Sequence, residues 1–230
     1  MLWILQKGYY AYRRRYVAVD EMIVVKGVTK RFKQMIALDH VTVTFEKGKI
    51  HGIIGRNGSG KTVLFKCICG FMKPDEGEII VNGKKVNPAV MQDIGIIIED
   101  PGFIGSVSGF KNLKLLASIK KCIADERIIE TLKLVGLDPK EKKHVGTYSL
   151  GMRHRLGIAQ AIMENPELLI LDEPMNGLDK QGVEDIRELL LALKKEGKTI
   201  LLSSHYAEDI EVLCDTVYEM DGGHLFSRKK

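Results

Sequence analysis

Residues 55–62 read Gly55-Arg56-Asn57-Gly58-Ser59-Gly60-Lys61-Thr62, the G-x-x-x-x-G-K-[ST] order that a phosphate-holding loop requires. The glycines let backbone N–H groups curl inward around phosphate oxygens, where a side chain would block the approach. Lys61 is long enough to reach β- and γ-phosphates, and the Thr62 hydroxyl suits Mg²⁺. The flanking pattern predicts a strand running in over Ile50–Ile54 and a helix running out from Thr62. A helix N-terminus then adds partial positive charge at the same place. A chance glycine turn followed by a lysine would lack this strand-to-helix setting.

A second constellation closes an apolar run. Leu168-Leu169-Ile170-Leu171 leads into Asp172-Glu173-Pro174. Two carboxylates therefore stand at the carboxyl end of a buried strand, where parallel α/β sheets gather their ligands. Asp172 is suited to hold Mg²⁺, and Glu173 to polarise a water against a γ-phosphate. Ser149, with Gly151 close behind it at a predicted helix start, has two readings. It is a helix N-cap, or it offers a hydroxyl and free N–H groups to an anion. His205 follows another predicted strand on the same rim as Glu173, and reads either as an ordinary histidine or as a member of the site.

These residues need a frame. Residues 22–45 alternate between two faces in β fashion, and Glu78 to Val81 with the Asn82-Gly83 pair reads as a strand entering a hairpin turn. Ile94 to Ile98 is a buried-strand run. Three segments then carry helical periodicity, namely 110–120, 125–135 and 151–163, forming a helical insertion. After it, strand and helix alternate: strands at 168–171 and 199–202, helices at 180–195 and 207–213. Continuous apolar strands separated by helices indicate a parallel sheet covered on both faces.

At 230 residues, 45% hydrophobic and 28% charged, the chain suits one sizeable core rather than two average domains. No apolar run approaches the roughly 18 residues of a membrane-spanning helix. The net charge is +5, but Lys7, Arg13, Arg14 and Arg15 at one end and Arg228, Lys229 and Lys230 at the other leave the stretch between them slightly acidic. Basic ends on a near-neutral body argue against a nucleic-acid partner. They read as solvated ends or as loose attraction to anionic lipid. Cys67, Cys69, Cys122 and Cys214 make no disulfide framework and are expected as buried free thiols in a reducing, cytosolic compartment. Residues 1–21 stand apart, with the only Trp and four of seven Tyr in the first twenty; they read as a genuine extension or as the product of an upstream start codon.

In this order, the motifs resemble the nucleotide-binding subunit of an ABC transporter from about Ile23 to the C-terminus. The resemblance implies a P-loop NTPase (RecA-like) α/β domain over residues 22–230. Its parallel-sheet core carries an antiparallel β subdomain and an inserted α-helical subdomain at about 100–163. It assigns ATP contacts to Phe32 (stacking on adenine), Gly55, Arg56, Asn57, Gly58, Ser59, Gly60, Lys61, Thr62 and Val63. Further contacts come from the signature loop, Tyr148-Ser149-Leu150-Gly151-Met152, and the D-loop, Asn176-Gly177-Leu178-Asp179, with Ser149, Gly151 and Asp179 as contacts. Catalysis falls to Glu173 and His205, and Mg²⁺ to Thr62, Glu99 and Asp172.

Two departures from the family pattern stand out. Leu150 and Met152 replace the usual Gly and Gln of the signature, and Glu99 ends the 94–99 run where most members carry Gln. Glu99 adds a negative charge to a site already holding Asp172, Glu173 and phosphates. These features resemble subunits serving lantibiotic- or bacitracin-type peptide export and self-immunity. The implied partners are membrane-spanning permease subunits and a second ATP-binding subunit, with no nucleic acid, at the inner, cytoplasmic face of the cell membrane. Two rivals are a soluble ABC-type ATPase not tied to transport and a regulatory module that binds ATP without hydrolysing it. Glu173 and His205 argue against the second.

Overall fold

A computed structural model describes residues 20–87, 93–99 and 101–228 of the chain. In chain order the strands are β1 (Glu21–Phe32), β2 (Met35–Glu46), β3 (Ile50–Ile54), β4 (Glu76–Val81), β5 (Lys84–Lys85), β6 (Ile94–Ile97), β7 (Leu168–Asp172), β8 (Thr199–Ser203), β9 (Thr216–Asp221) and β10 (His224–Arg228). The helices are α1 (Lys61–Ile68), α2 (Gly109–Lys120), α3 (Asp125–Leu134), α4 (Leu150–Ile162), α5 (Lys180–Lys195) and α6 (Ala207–Leu213). One sheet is antiparallel, in the order β2-β1-β4-β5; the other runs β10-β9-β3-β8-β7-β6 and is parallel except for β10. The antiparallel sheet closes through Asn82 and Gly83, whose φ values of 47° and 73° form the turn with two positive φ angles that suits strand twist.

Both faces of the parallel sheet are covered, so β7 and β8 carry unbroken apolar runs at 168–171 and 200–202. Leu168, Ile170 and Leu201 join α1 and the antiparallel sheet in one core cluster with Leu64, Phe65, Val25 and Phe45. Leu169, Leu171, Ile200 and Leu202 face a second cluster with α4, α5 and α6. A side chain at Gly95 would bring its Cβ to 2.1 Å from the Ala161 carbonyl oxygen, so α4 lies against β6 almost backbone to backbone. The last helix of the expected helical insertion is thereby fixed to the parallel sheet. Among the described residues, no helix is long and apolar enough to cross a membrane.

The structure bears on three expectations. Of the basic C-terminal end, Arg228 lies in β10, which pairs with β9, and its exposed side chain is 3.7 Å from Glu219. Lys229 and Lys230 lie outside the described residues. Cys122 is exposed, whereas Cys67, Cys69 and Cys214 are buried as expected. Burial pushes the thiol of Cys67 up to about 11 and that of Cys69 to about 12, which keeps both protonated. At the other end, residues 1–19 of the expected extension lie outside the described residues, while β1 already begins at Glu21 and the Asp20 carbonyl accepts the Lys47 N–H at 2.7 Å.

Candidate nucleotide-binding and hydrolysis site

The 55–62 loop sits where the two sheets meet. Gly55 (φ 150°) and Gly60 (φ 117°) adopt backbone angles that favour glycine, and neither has room for a side chain. A Cβ at Gly55 would fall 2.3 Å from the Met220 carbonyl oxygen, and one at Gly60 2.5 Å from that of Ala37. The turn between β9 and β10 braces the loop from behind, the Gly223 N–H donating to the Ser59 carbonyl at 3.1 Å.

Three features make this loop ready for an anion. Helix α1 has no side-chain cap on Gly60 and no acidic residue in its first turn, so its leading N–H groups face outward with the helix dipole behind them. Lys61 is only 6% exposed, and its ammonium donates to the carbonyls of Gly55 (2.6 Å) and Arg56 (3.2 Å). The buried Ser59 hydroxyl has no hydrogen-bond partner among the described residues. The loop floors a cavity of about 360 Å³ that reaches from Met35 and Ala37 on β2 to Asp172, Glu173 and His205. Asn57, Gly58 and Val63 line it as well, while Arg56 is exposed beside it.

Opposite the loop, Ser203 organises the two carboxylates. Asp172 and Ser203 are register partners at the ends of β7 and β8. The Ser203 hydroxyl donates to Asp172 Oδ1 at 2.6 Å and accepts the Glu173 N–H at 3.0 Å. Asp172 Oδ2 accepts the Thr62 hydroxyl at 2.8 Å, so one carboxylate joins the phosphate loop to the strand ends. Glu173 takes φ 53°, a left-handed angle costly for a side chain of this type, and this turns its carboxylate toward His205. The His205 N–H donates to Glu173 Oε2 at 3.1 Å, and His205 Nε2 lies 3.2 Å from Oε1. Burial pushes the Glu173 carboxyl above its ordinary value; His205 opposes the rise, Asp172 adds to it and Lys61 opposes it.

Other expected site residues lie elsewhere. Glu99 adopts φ 61° just past β6 and pairs with Lys66 at 2.6 Å, its side chain 66% exposed. In this arrangement Glu99 does not join the other two expected metal ligands: Thr62 meets Asp172, and the Glu99 carboxylate pairs with Lys66 of α1. Among the described residues, no group of three acidic, histidine or cysteine side chains is placed to hold a metal. Phe32 lies at the end of β1 with the Lys30 ammonium 5.7 Å from its ring centre, and its hairpin partner Met35 is the residue that lines the cavity. Ser149, Gly151 and Asp179 come together around a separate cavity of about 640 Å³. There Ser149 caps α4 by accepting the Met152 N–H (3.2 Å), and Asp179 caps α5 by accepting that of Gly182 (2.9 Å). Sequence reasoning missed Ser203, whose role shows only in the strand register, and the bracing turn at 221–223, which the Gly222-Gly223 pair signalled.

Comparison with known proteins agrees with this geometry. A sequence model of the family described as ABC transporter matches residues 38–176. The chain is similar to the uncharacterized ABC transporter ATP-binding protein YybJ of Bacillus subtilis (strain 168), 42% identical over 211 residues that span 91% of this chain and 97% of that protein. It is also similar to the bacitracin transport ATP-binding protein BcrA of Enterococcus faecalis, 39% identical over 90% of this chain and 68% of that protein. Among solved structures, the dimeric post-hydrolysis state of the ATP-binding cassette MJ0796 bound to ADP and Pi superposes with a TM-score of 0.83. It is 26% identical and covers 90% of this chain and 98% of that one.

Proposed function

The chain belongs to the ABC transporter ATP-binding family, and from that membership we propose that it is the ATP-hydrolysing subunit of a peptide-antibiotic exporter, driving a separate membrane-spanning permease. The observation that carries the ATPase reading is the unbroken chain Thr62–Asp172–Ser203–Glu173–His205 across the phosphate-loop cavity. The outward-facing amides of α1 receive the phosphates, and Lys61 exchanges the Gly55 and Arg56 carbonyls for β- and γ-phosphate oxygens. Glu173 holds a water in line with the γ-phosphate, and His205 holds Glu173. A hydroxyl and a carboxylate already in contact, Thr62 and Asp172, are the oxygen donors that would hold Mg²⁺. When bound, that ion neutralises charge on the β- and γ-phosphates.

Ser149, Gly151 and Asp179 have no place in this cavity within one chain, so the reading assigns them to the nucleotide of a second copy. The groove of about 590 Å³ beside β6, bordered by Phe71, Ile98, Leu116 and Ile119, is the surface assigned to the permease. This would place the chain at the inner face of the membrane. The 39% identity to a protein named for bacitracin transport supports an antimicrobial peptide as cargo. Phosphate release per chain should rise steeply with protein concentration, and E173Q should form an ATP-dependent dimer with turnover reduced about 10²–10⁴-fold. Concentration-independent activity from a monomeric sample would refute the shared site. Recovery from gently solubilised membranes without an integral membrane partner would instead favour an ATPase not tied to transport.

A further inference from the structure

The turn that carries His205 has few ties of its own. His205 is nearly half exposed, Tyr206 at the N-cap of α6 gives no side-chain cap, and the first backbone bond of the helix, Ile210 N–H to the Tyr206 carbonyl, is long at 3.5 Å. Yet the His205 backbone N–H and ring nitrogen must both meet Glu173. What fixes the turn is a buried network below it. The Ser204 hydroxyl accepts the Tyr206 N–H at 3.1 Å, closing a local turn around His205, and donates to Asp209 Oδ2 at 2.7 Å. The other oxygen of Asp209 takes two donors from Arg187 on α5, Nε at 2.9 Å and Nη2 at 2.6 Å. Ser204, Asp209 and Arg187 are each 5% exposed or less. Arg187 is anchored in turn by Glu184 at 2.8 Å and Glu208 at 3.2 Å.

We propose that Ser204 and Asp209, anchored by Arg187, are positioning residues that hold the His205 turn in register with Glu173. A buried arginine and aspartate could serve only to pack α5 against α6. Packing alone, however, does not call for the second Asp209 oxygen to be spent on a hydroxyl whose remaining bond closes the turn around His205. Each member is placed so that its loss frees the turn rather than the phosphate loop. The inference rests on the reading of Glu173 and His205 as the hydrolytic pair.

The test is a double-mutant cycle on the full chain, read by steady-state phosphate release and by binding of a fluorescent ATP analogue. S204A should leave nucleotide affinity within about twofold and lower kcat roughly 10-fold, because a small misplacement of a positioned group is costly in rate. In an H205A background the same change should cost less than about twofold, since the residue it positions is gone. D209N should behave as S204A does, and it decides the matter if S204A does not fold. Hydrogen exchange in S204A should quicken across 203–209 and stay unchanged across 50–62. If H205A retains wild-type kcat, the reading of the hydrolytic pair fails. If H205A loses activity while S204A and D209N do not, or if they lose equally in both backgrounds, the positioning role alone is overturned.

Discussion

Replacing Ser203 with alanine tests whether the strand ends and the phosphate loop form one unit. Ser203 is fully buried, and its hydroxyl is both donor to Asp172 and acceptor for the Glu173 N–H. Losing a hydrogen bond to a charged acceptor costs about 1.5–3 kcal/mol, and an unpaired buried N–H adds about 1–3 kcal/mol. Because both losses relax together, they do not add fully, and roughly 2–4 kcal/mol is expected in total. For a domain of this size each kcal/mol moves the melting temperature by about 2–4 °C, so S203A should melt about 5–15 °C below wild type. The rate should suffer separately. The left-handed angle of Glu173 is held by its N–H bond to Ser203, and without it the carboxylate is free to leave the His205 side, at a cost of roughly 10–100-fold in kcat. Scanning calorimetry and phosphate release at saturating ATP measure the two effects. A melting temperature within about 2 °C of wild type would refute the account of Ser203 as the organiser of both carboxylates.

Two further outcomes follow from groups outside the phosphate loop. His51 is buried against Phe45, with Nε2 donating to the Glu46 carbonyl (2.8 Å) and Nδ1 accepting from Thr216 (2.7 Å), and burial holds its pKa below the ordinary value. The unfolded chain therefore binds the proton first, so this contribution is complete above about pH 6.5 and is lost as pH falls through the lower folded value. Urea titrations from pH 7.5 to 5 should show that loss in wild type and a flatter pH profile in H51Q; parallel profiles would remove His51 as the cause. For Glu99, an exposed ion pair with Lys66 is worth about 0–1 kcal/mol, so E99Q should melt within about 2 °C of wild type. Its Mg²⁺ titration of hydrolysis in the isolated protein should match wild type, and a several-fold shift in half-saturating Mg²⁺ would bring Glu99 back into the metal site.

Legibility followed the range of the interaction. The phosphate loop is a local pattern, and its glycines are required both by backbone angle and by the carbonyls of Met220 and Ala37 pressed against them. The parallel sheet was legible because β7 and β8 are buried on both faces and so carry unbroken apolar runs, 168–171 and 200–202. Ser203 was not, because a serine ending a strand is unremarkable until the register sets it beside Asp172. The β9–β10 hairpin carried a signal in Asp221-Gly222-Gly223, but the basic residues after it drew attention to charge alone; backbone pairing with Val217 makes Arg228 part of the sheet. Glu99 shows the limit of reasoning from position. Closing a strand near the carboxylates fixed where its backbone lies, while a positive φ and the nearby Lys66 decided where its charge went.

Ser149 brings the two halves of the site into one argument. Its sequence reading was divided between helix cap and anion ligand, and the geometry makes these compatible. As a cap, the hydroxyl oxygen accepts the Met152 N–H, which leaves its own proton free to donate outward. The same end of α4 has no acidic residue in its first turn to neutralise the helix dipole. Within one chain Ser149 borders the cavity that Asp179 and Asp185 also line, which offers carboxylates rather than a phosphate. On the proposed reading, the phosphate is supplied by the 55–62 loop of a second copy. Each chain then contributes one loaded loop and one vacant cap, and neither half hydrolyses ATP until the other arrives. On that reading, the expected rise of hydrolysis per chain with protein concentration follows from where Ser149 sits.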